Sequence, residues 1–91
     1  MVARIRFTGH LRRFFPTLLD FEAPAAQVAE LLPIFERRYP GLPTYLVDDQ
    51  GALRRHVNCF VDGSPLVDRL GLSDSLQQDS EVFWVQALSG G

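Results

Sequence analysis

The chain has 91 residues, enough for one domain with its own core and too few for two. Its 9 basic residues, all arginine, stand against 11 acidic ones for a formal charge of −2, which argues against a general binder of nucleic-acid phosphates. A single cysteine permits no internal disulfide, and no apolar run approaches the ~20 residues of a membrane span, so a soluble cytoplasmic protein is expected.

Residues 2 to 8 alternate, with Ala3, Ile5 and Phe7 on one face and Arg4 and Arg6 on the other, the period of a half-buried strand. A secretory leader would present an unbroken apolar stretch there instead. Gly9-His10 and Phe15-Pro16 bracket a connection, after which Thr17 to Glu22 predicts a second strand, Leu19 and Phe21 inward, Asp20 and Glu22 outward. The pair reads as an antiparallel hairpin with a long loop. From Ala25 to Tyr39 the spacing becomes helical: Val28, Leu31, Leu32, Phe35 and Tyr39 share one face, while Gln27, Glu30, Glu36 and Arg37 lie outside it. Pro24 suits the first turn of such a helix. Pro33 in its interior removes the bond to the Ala29 carbonyl and predicts a single kinked helix, stopped by Pro40-Gly41.

Leu42 to Arg55 reads as mostly irregular, with a short helical turn around Pro43 to Val47 and a tight turn at Asp48-Asp49-Gln50-Gly51. Arg55 to Asp62 alternates as a strand with Val57, Cys59 and Val61 on one face and Phe60 on the other. Asp62-Gly63-Ser64-Pro65 turns the chain, Leu66-Val67 is a candidate edge strand, and Leu70 to Leu76 reads as a helical turn leading back. In the final strand Val82 and Trp84 point inward and Phe83 and Val85 outward.

This order is an α+β layout: one helix layer on one face of a mixed sheet, with the first and last strands as a parallel central pair because both carry the densest apolar pattern. Phe60, Phe83 and Val85 then share a sheet face that no second helix covers, a candidate partner-docking patch beside the chain's end. The other reading is that a bulge shifts the parity and Phe60 packs inside.

The last strand passes without a turn into Leu88-Ser89-Gly90-Gly91, which divides the chain into a domain of residues 1–87 and a flexible tail of residues 88–91. Two glycines remove every side chain ahead of the α-carboxylate and free the backbone, so the end can thread into a narrow partner site. The reading is that the Gly91 carboxylate is activated and loaded by another enzyme, with Gly90, Ser89 and Leu88 recognised as the tail; a frayed linker is the alternative. Nothing in the sequence reads as an enzyme. His10, His56 and Cys59 lack metal-ligand spacing, Cys59 is inward without a base beside it, and there is no phosphate-binding glycine loop. The clusters Asp48-Asp49 and Asp79-Ser80-Glu81 read as solvated, as do the pairs Arg12-Arg13, Arg37-Arg38 and Arg54-Arg55, unless the arginines dock an acidic partner.

The succession Tyr39-Pro40-Gly41-Leu42, Asp49-Gln50-Gly51, Leu53 to Asn58, Val61-Asp62-Gly63, the turn from Leu70 to Leu76, Glu81-Val82 and terminal Gly90-Gly91 resembles the MoaD/ThiS sulfur carriers, which are ubiquitin-like β-grasp proteins. Arg54-Arg55-His56-Val57-Asn58 with a Gly-Gly end looks closest to the carriers serving cysteine and siderophore biosynthesis. The resemblance implies no bound cofactor. An E1-like adenylyltransferase would use ATP to adenylate Gly91, and a sulfur donor, either a sulfurtransferase or sulfide, would convert it to a thiocarboxylate for a sulfur-accepting biosynthetic enzyme. A metallopeptidase that exposes or recycles the tail is a further implied partner. Two other readings share this fold and tail: a modifier joined through Gly91 to lysines, and the small subunit of a molybdopterin-synthase-like complex. The chain departs from the family pattern at Gln78-Asp79-Ser80, where Asp-Gly-Asp is usual, and at Gln86, where proline is usual.

Overall fold

The computed structural model describes residues 2–86. Strands β1 (Val2–Phe7), β2 (Phe21–Pro24), β3 (Val57–Val61), β4 (Ser64–Pro65) and β5 (Glu81–Gln86) form one sheet in the order β2-β1-β5-β3-β4. Its centre is the parallel pair β1 and β5, and every other neighbouring pair is antiparallel. Helix α1 (Leu31–Arg38) and the short α2 (Leu42–Leu46) complete the fold. This is the mixed sheet with a parallel centre expected from the dense apolar patterns of β1 and β5, and the β-grasp arrangement that the resemblance implied.

Register carries the core across the strands. Ile5 lies beside Phe21 and Val82, and Val82 beside Val61; one step along, Phe7 lies beside Trp84 and Trp84 beside Cys59. Phe35 of α1 meets this row edge-on, its ring 5.4 Å from Phe7 and 5.6 Å from Trp84. Ile5, Val82, Trp84, Phe35, Leu31 and Val57 are all buried. Burial of such side chains contributes roughly 1.5–3 kcal/mol each, which is what holds the helix on the sheet.

The second strand differs from expectation. Pairing begins only at Phe21, and Leu18 is the buried residue of the preceding segment while Leu19 is 65% exposed. The cause is that the Phe7 N–H donates to the Asp20 carboxylate (3.3 Å) rather than to a backbone carbonyl, so regular alternation starts after Asp20. Pro24, assigned by sequence to the helix, closes β2.

The helix is also shorter than its apolar periodicity. Val28 and Ala29 donate their N–H groups to the carbonyls of Asp74 (3.1 Å) and Leu72 (2.9 Å), which holds Val28–Glu30 in a 3-10 turn and delays α1 to Leu31. Pro33 is therefore the third residue of α1, where a backbone N–H has no intrahelical partner to lose. The predicted kink has no cause. Gly41, at φ 92°, reverses the chain after α1, and α2 follows at once, close to the helical turn expected there.

The edge strand is Ser64–Pro65 rather than Leu66-Val67, joined to β3 by Asp62 (φ 51°) and Gly63 (φ 85°), the left-handed pair of a two-residue hairpin turn. Leu66 is buried, its N–H bonded to the Cys59 carbonyl. The helical turn expected over Leu70 to Leu76 is reduced to one turn closed by the Leu72 N–H on the Asp68 carbonyl (2.9 Å), and carboxylates take the neighbouring backbone donors. Asp68 accepts from the N–H groups of Leu70, Gly71 and Ser73, and Asp74 from those of Val67 and Asp68. Ser75 then bridges to Gln27, locking this segment to the start of the helix layer.

Candidate functional site

The antiparallel register of β3 on β5 runs unbroken from Val57 opposite Gln86 to Val61 opposite Val82. With no bulge, Phe60 and Phe83 lie side by side on the face away from α1, and Val85 lies one step along beside Asn58. The structure thus brings Phe60, Phe83 and Val85 together, all three half-buried. Their row continues outward, with Arg6 beside Phe83 and Pro65 beside Phe60. The Arg6 guanidinium stands 5.2 Å from the Phe83 ring centre and pairs with Glu81 (3.5 Å) and Asp20 (3.8 Å). The open face is therefore an apolar strip bordered by a partly neutralised arginine, narrower than a bare hydrophobic patch.

Leu88, Ser89, Gly90 and Gly91, and the boundary at residue 87, lie outside the described residues. What is described is the pole of the sheet at which β5 ends. Parallel pairing puts the end of β1 there, and antiparallel pairing puts there the residues just before β3, Arg54 to His56. The 3-10 turn Gly9–Arg13 continues from β1, and Phe14 after it stacks on Tyr45 of α2 at 5.0 Å, with His10 edge-on to Phe14. Phe14 is 51% and Tyr45 36% exposed. Thr44, Tyr45, Arg54, His56 and Gln86 surround an open hollow of about 440 Å³. The expectation of a mostly irregular stretch with a short helical turn over residues 42–55 does not include this hollow; the signal available is that residues just before a strand antiparallel to β5 must sit at β5's end.

The titratable groups separate structural from reactive roles. Burial pushes the Cys59 thiol up to about 12, the Asp74 charge adding to the rise and Arg69 opposing it, so it stays protonated and inert as the inward position suggested. Asp62 is held below the usual carboxylate range by the Glu81 N–H (2.9 Å) and the Ser80 hydroxyl (2.9 Å). Asp79 takes the left-handed conformation (φ 64°), at the position where the resemblance implies glycine. Among the described residues no three His, Cys, Asp or Glu side chains converge as for a metal ion.

Asp68 is lowered from 3.8 to about 2, first by the Ser73 hydroxyl (2.6 Å) and then by the N–H groups of Gly71 and Ser73. A depressed carboxylate stabilises the fold fully above its unfolded value and loses that contribution as pH falls through its folded one. Asp68→Asn is therefore expected to lower Tm at pH 7. The gap from the natural chain should hold down to about pH 4 and narrow toward pH 2 in thermal melts; a gap constant to pH 2 would contradict the hydrogen-bonded charge.

The sheet order, the parallel central pair and the single helix layer define the class of protein by fold, a ubiquitin-like β-grasp domain. No protein-family model and no curated protein matches the sequence. Solved structures do match. A chain of the BexX/CysO complex of Amycolatopsis orientalis superposes with a TM-score of 0.82 at 24% identity, over 98% of this chain and 99% of that one. SAMP1 of Haloferax volcanii gives 0.79 at 18% identity over 100% of both chains. CysO of Mycobacterium tuberculosis gives 0.79 at 20% identity over 94% of this chain and 99% of its own. The fold that the resemblance to the MoaD/ThiS type implied is thus the fold found over the described residues.

Proposed function

We propose that this chain is a sulfur carrier whose Gly91 carboxylate is the loaded group. The supporting observation is that β5, central in a β-grasp sheet shared with CysO structures, leads through only Ala87, Leu88 and Ser89 to Gly90-Gly91. An E1-like enzyme joins a Gly91 oxygen to the α-phosphorus of ATP, releasing pyrophosphate. Sulfide then attacks the carbonyl carbon, displaces AMP and leaves a thiocarboxylate directly. A sulfurtransferase persulfide instead displaces AMP to give an acyl disulfide, which a second thiol cleaves to the thiocarboxylate while forming a disulfide. Adenylation is required because a free carboxylate is a poor acyl electrophile, and the terminal sulfur is a better nucleophile than oxygen. The acceptor is a biosynthetic enzyme in the cytoplasm, and a metallopeptidase exposes or recycles the tail. Catalysis belongs to the partners; this chain contributes the reacting atom and a handle that places it.

The handle is the strip of Phe60, Phe83 and Val85, which docks the activating enzyme while Leu88 to Gly91 enter its site. ATP–pyrophosphate exchange by the E1-like enzyme, dependent on added chain, tests both parts. Exchange is expected with the full chain, and Phe83→Glu should lower it about 30-fold at subsaturating chain concentration, as loss of a central aromatic contact does. Exchange that ignores the chain would overturn the carrier reading, whereas an unaffected Phe83 variant would overturn only the docking strip. SAMP1, named a small archaeal modifier protein, shares the fold and favours conjugation through Gly91 to lysines as the second reading. Recovery of Gly91 in isopeptide linkage would decide for it.

A further inference from the structure

The hollow where β5 ends has features that the carrier reading leaves unused. Arg54 donates through Nε to the Thr44 carbonyl (2.8 Å), which orients the guanidinium, and its two terminal guanidinium nitrogens make no hydrogen bond or ion pair among the described residues. His56 stands beside it, and none of the five lining residues is acidic. Asp48 and Asp49 line one adjoining hollow with Arg54, and Asp48 lines a second with Arg54, Arg55 and His56; Asp48 itself accepts from the N–H groups of Gln50 and Ala52. Gln86 completes the lining at the end of β5. Tyr45, backed by Phe14 and Phe15, supplies an aromatic flank.

A guanidinium fork beside an imidazole and an aromatic wall matches a peptide carrying a carboxylate. The fork takes both carboxylate oxygens. We infer that this hollow docks an acidic segment of the protein partner that receives the chain's end. Charge complementarity favours that occupant: the hollow is cationic on a chain whose net charge is −2. So does position, because Gln86 is both part of the wall and the last residue of β5. The partner's role rests on the carrier reading; the chemistry of the hollow does not.

The test is amide-resolved NMR of the full chain at low salt, titrated with hexaglutamate and, separately, with an uncharged peptide of equal length. Hexaglutamate is expected to shift the amides of Thr44, Tyr45, Arg54, His56 and Gln86, and the uncharged peptide to leave them in place. Arg54→Glu should weaken the hexaglutamate response at least about tenfold, and Arg54→Lys, which keeps the charge without the fork, should fall between. If Arg54→Glu does not fold, Arg54→Gln, which removes the charge without reversing it, carries the same expectation of weaker binding, and equal binding by it would likewise overturn the inference. Shifts no larger than those from the uncharged peptide, equal binding by the folded glutamate variant, or the same shifts at equal affinity with inorganic phosphate alone would each overturn the inference. The titration does not involve Gly91, so its failure leaves sulfur loading standing, and failed loading leaves the titration's result standing.

Discussion

Deleting Gly91 is expected to cut ATP-dependent loading of the chain by at least about 100-fold while leaving Tm within about a degree of the full chain. Without Gly91 the chain still ends in a carboxylate, on Gly90, but that group falls short by roughly 3.5 Å of backbone. A displacement of about 1 Å at a reacting centre already costs on the order of 100-fold, so the shortened end should not be adenylated. Stability should not change, because the buried side chains that hold β5, Val82 and Trp84, precede Gly91 by several residues. Differential scanning calorimetry and the exchange assay read the two halves separately. Retained loading would move the chemistry off the terminal carbonyl, and a large fall in Tm would make the tail structural.

Trp84→Ala should act in the opposite way and remove the fold itself. Trp84 is wholly buried in the central strand, between Phe7 and Cys59 in register and edge-on to Phe35. Truncating a buried tryptophan costs about 3–5 kcal/mol. For a domain of this size each kcal/mol lowers Tm by about 4–8 °C, so a fall of roughly 12 °C or more is expected in thermal melts. Trp84→Phe should cost under about 2 kcal/mol, since the indole N–H has no hydrogen-bond partner among the described residues and its removal forfeits none. A Trp84→Phe variant as unstable as Trp84→Ala would show that the N–H is in fact engaged.

Where alternating burial alone sets the structure, the sequence was a sufficient guide. The two faces of β1, β3 and β5, the parallel centre and the outward placing of Phe60, Phe83 and Val85 all follow from period-two patterning and hold in the register. Reading failed where a side chain competes with the backbone for a hydrogen bond. Asp20 takes the Phe7 N–H and displaces the start of β2, while Asp68 and Asp74 take the donors on either side of the single turn that the Leu72 N–H closes. Pro33 misled for a related reason: the position of a proline within a helix depends on where the helix begins, and here bonds to Leu72 and Asp74, distant in sequence, set that start. The hollow around Arg54 and Gln86 was illegible because its walls come from three separated segments that only the strand order joins. Gly90-Gly91 drew notice by its place after an apolar strand, and its reading rests on chemistry rather than on packing.

The most direct measurement is the intact mass of the full chain after incubation with ATP, an E1-like enzyme and a sulfide source, followed by fragmentation of the C-terminal peptide. The account predicts a mass gain of one oxygen-for-sulfur exchange, located on Gly91 and absent when ATP is withheld. An unchanged mass with an enzyme shown to be active on another carrier, or an exchange placed anywhere but Gly91, would contradict it.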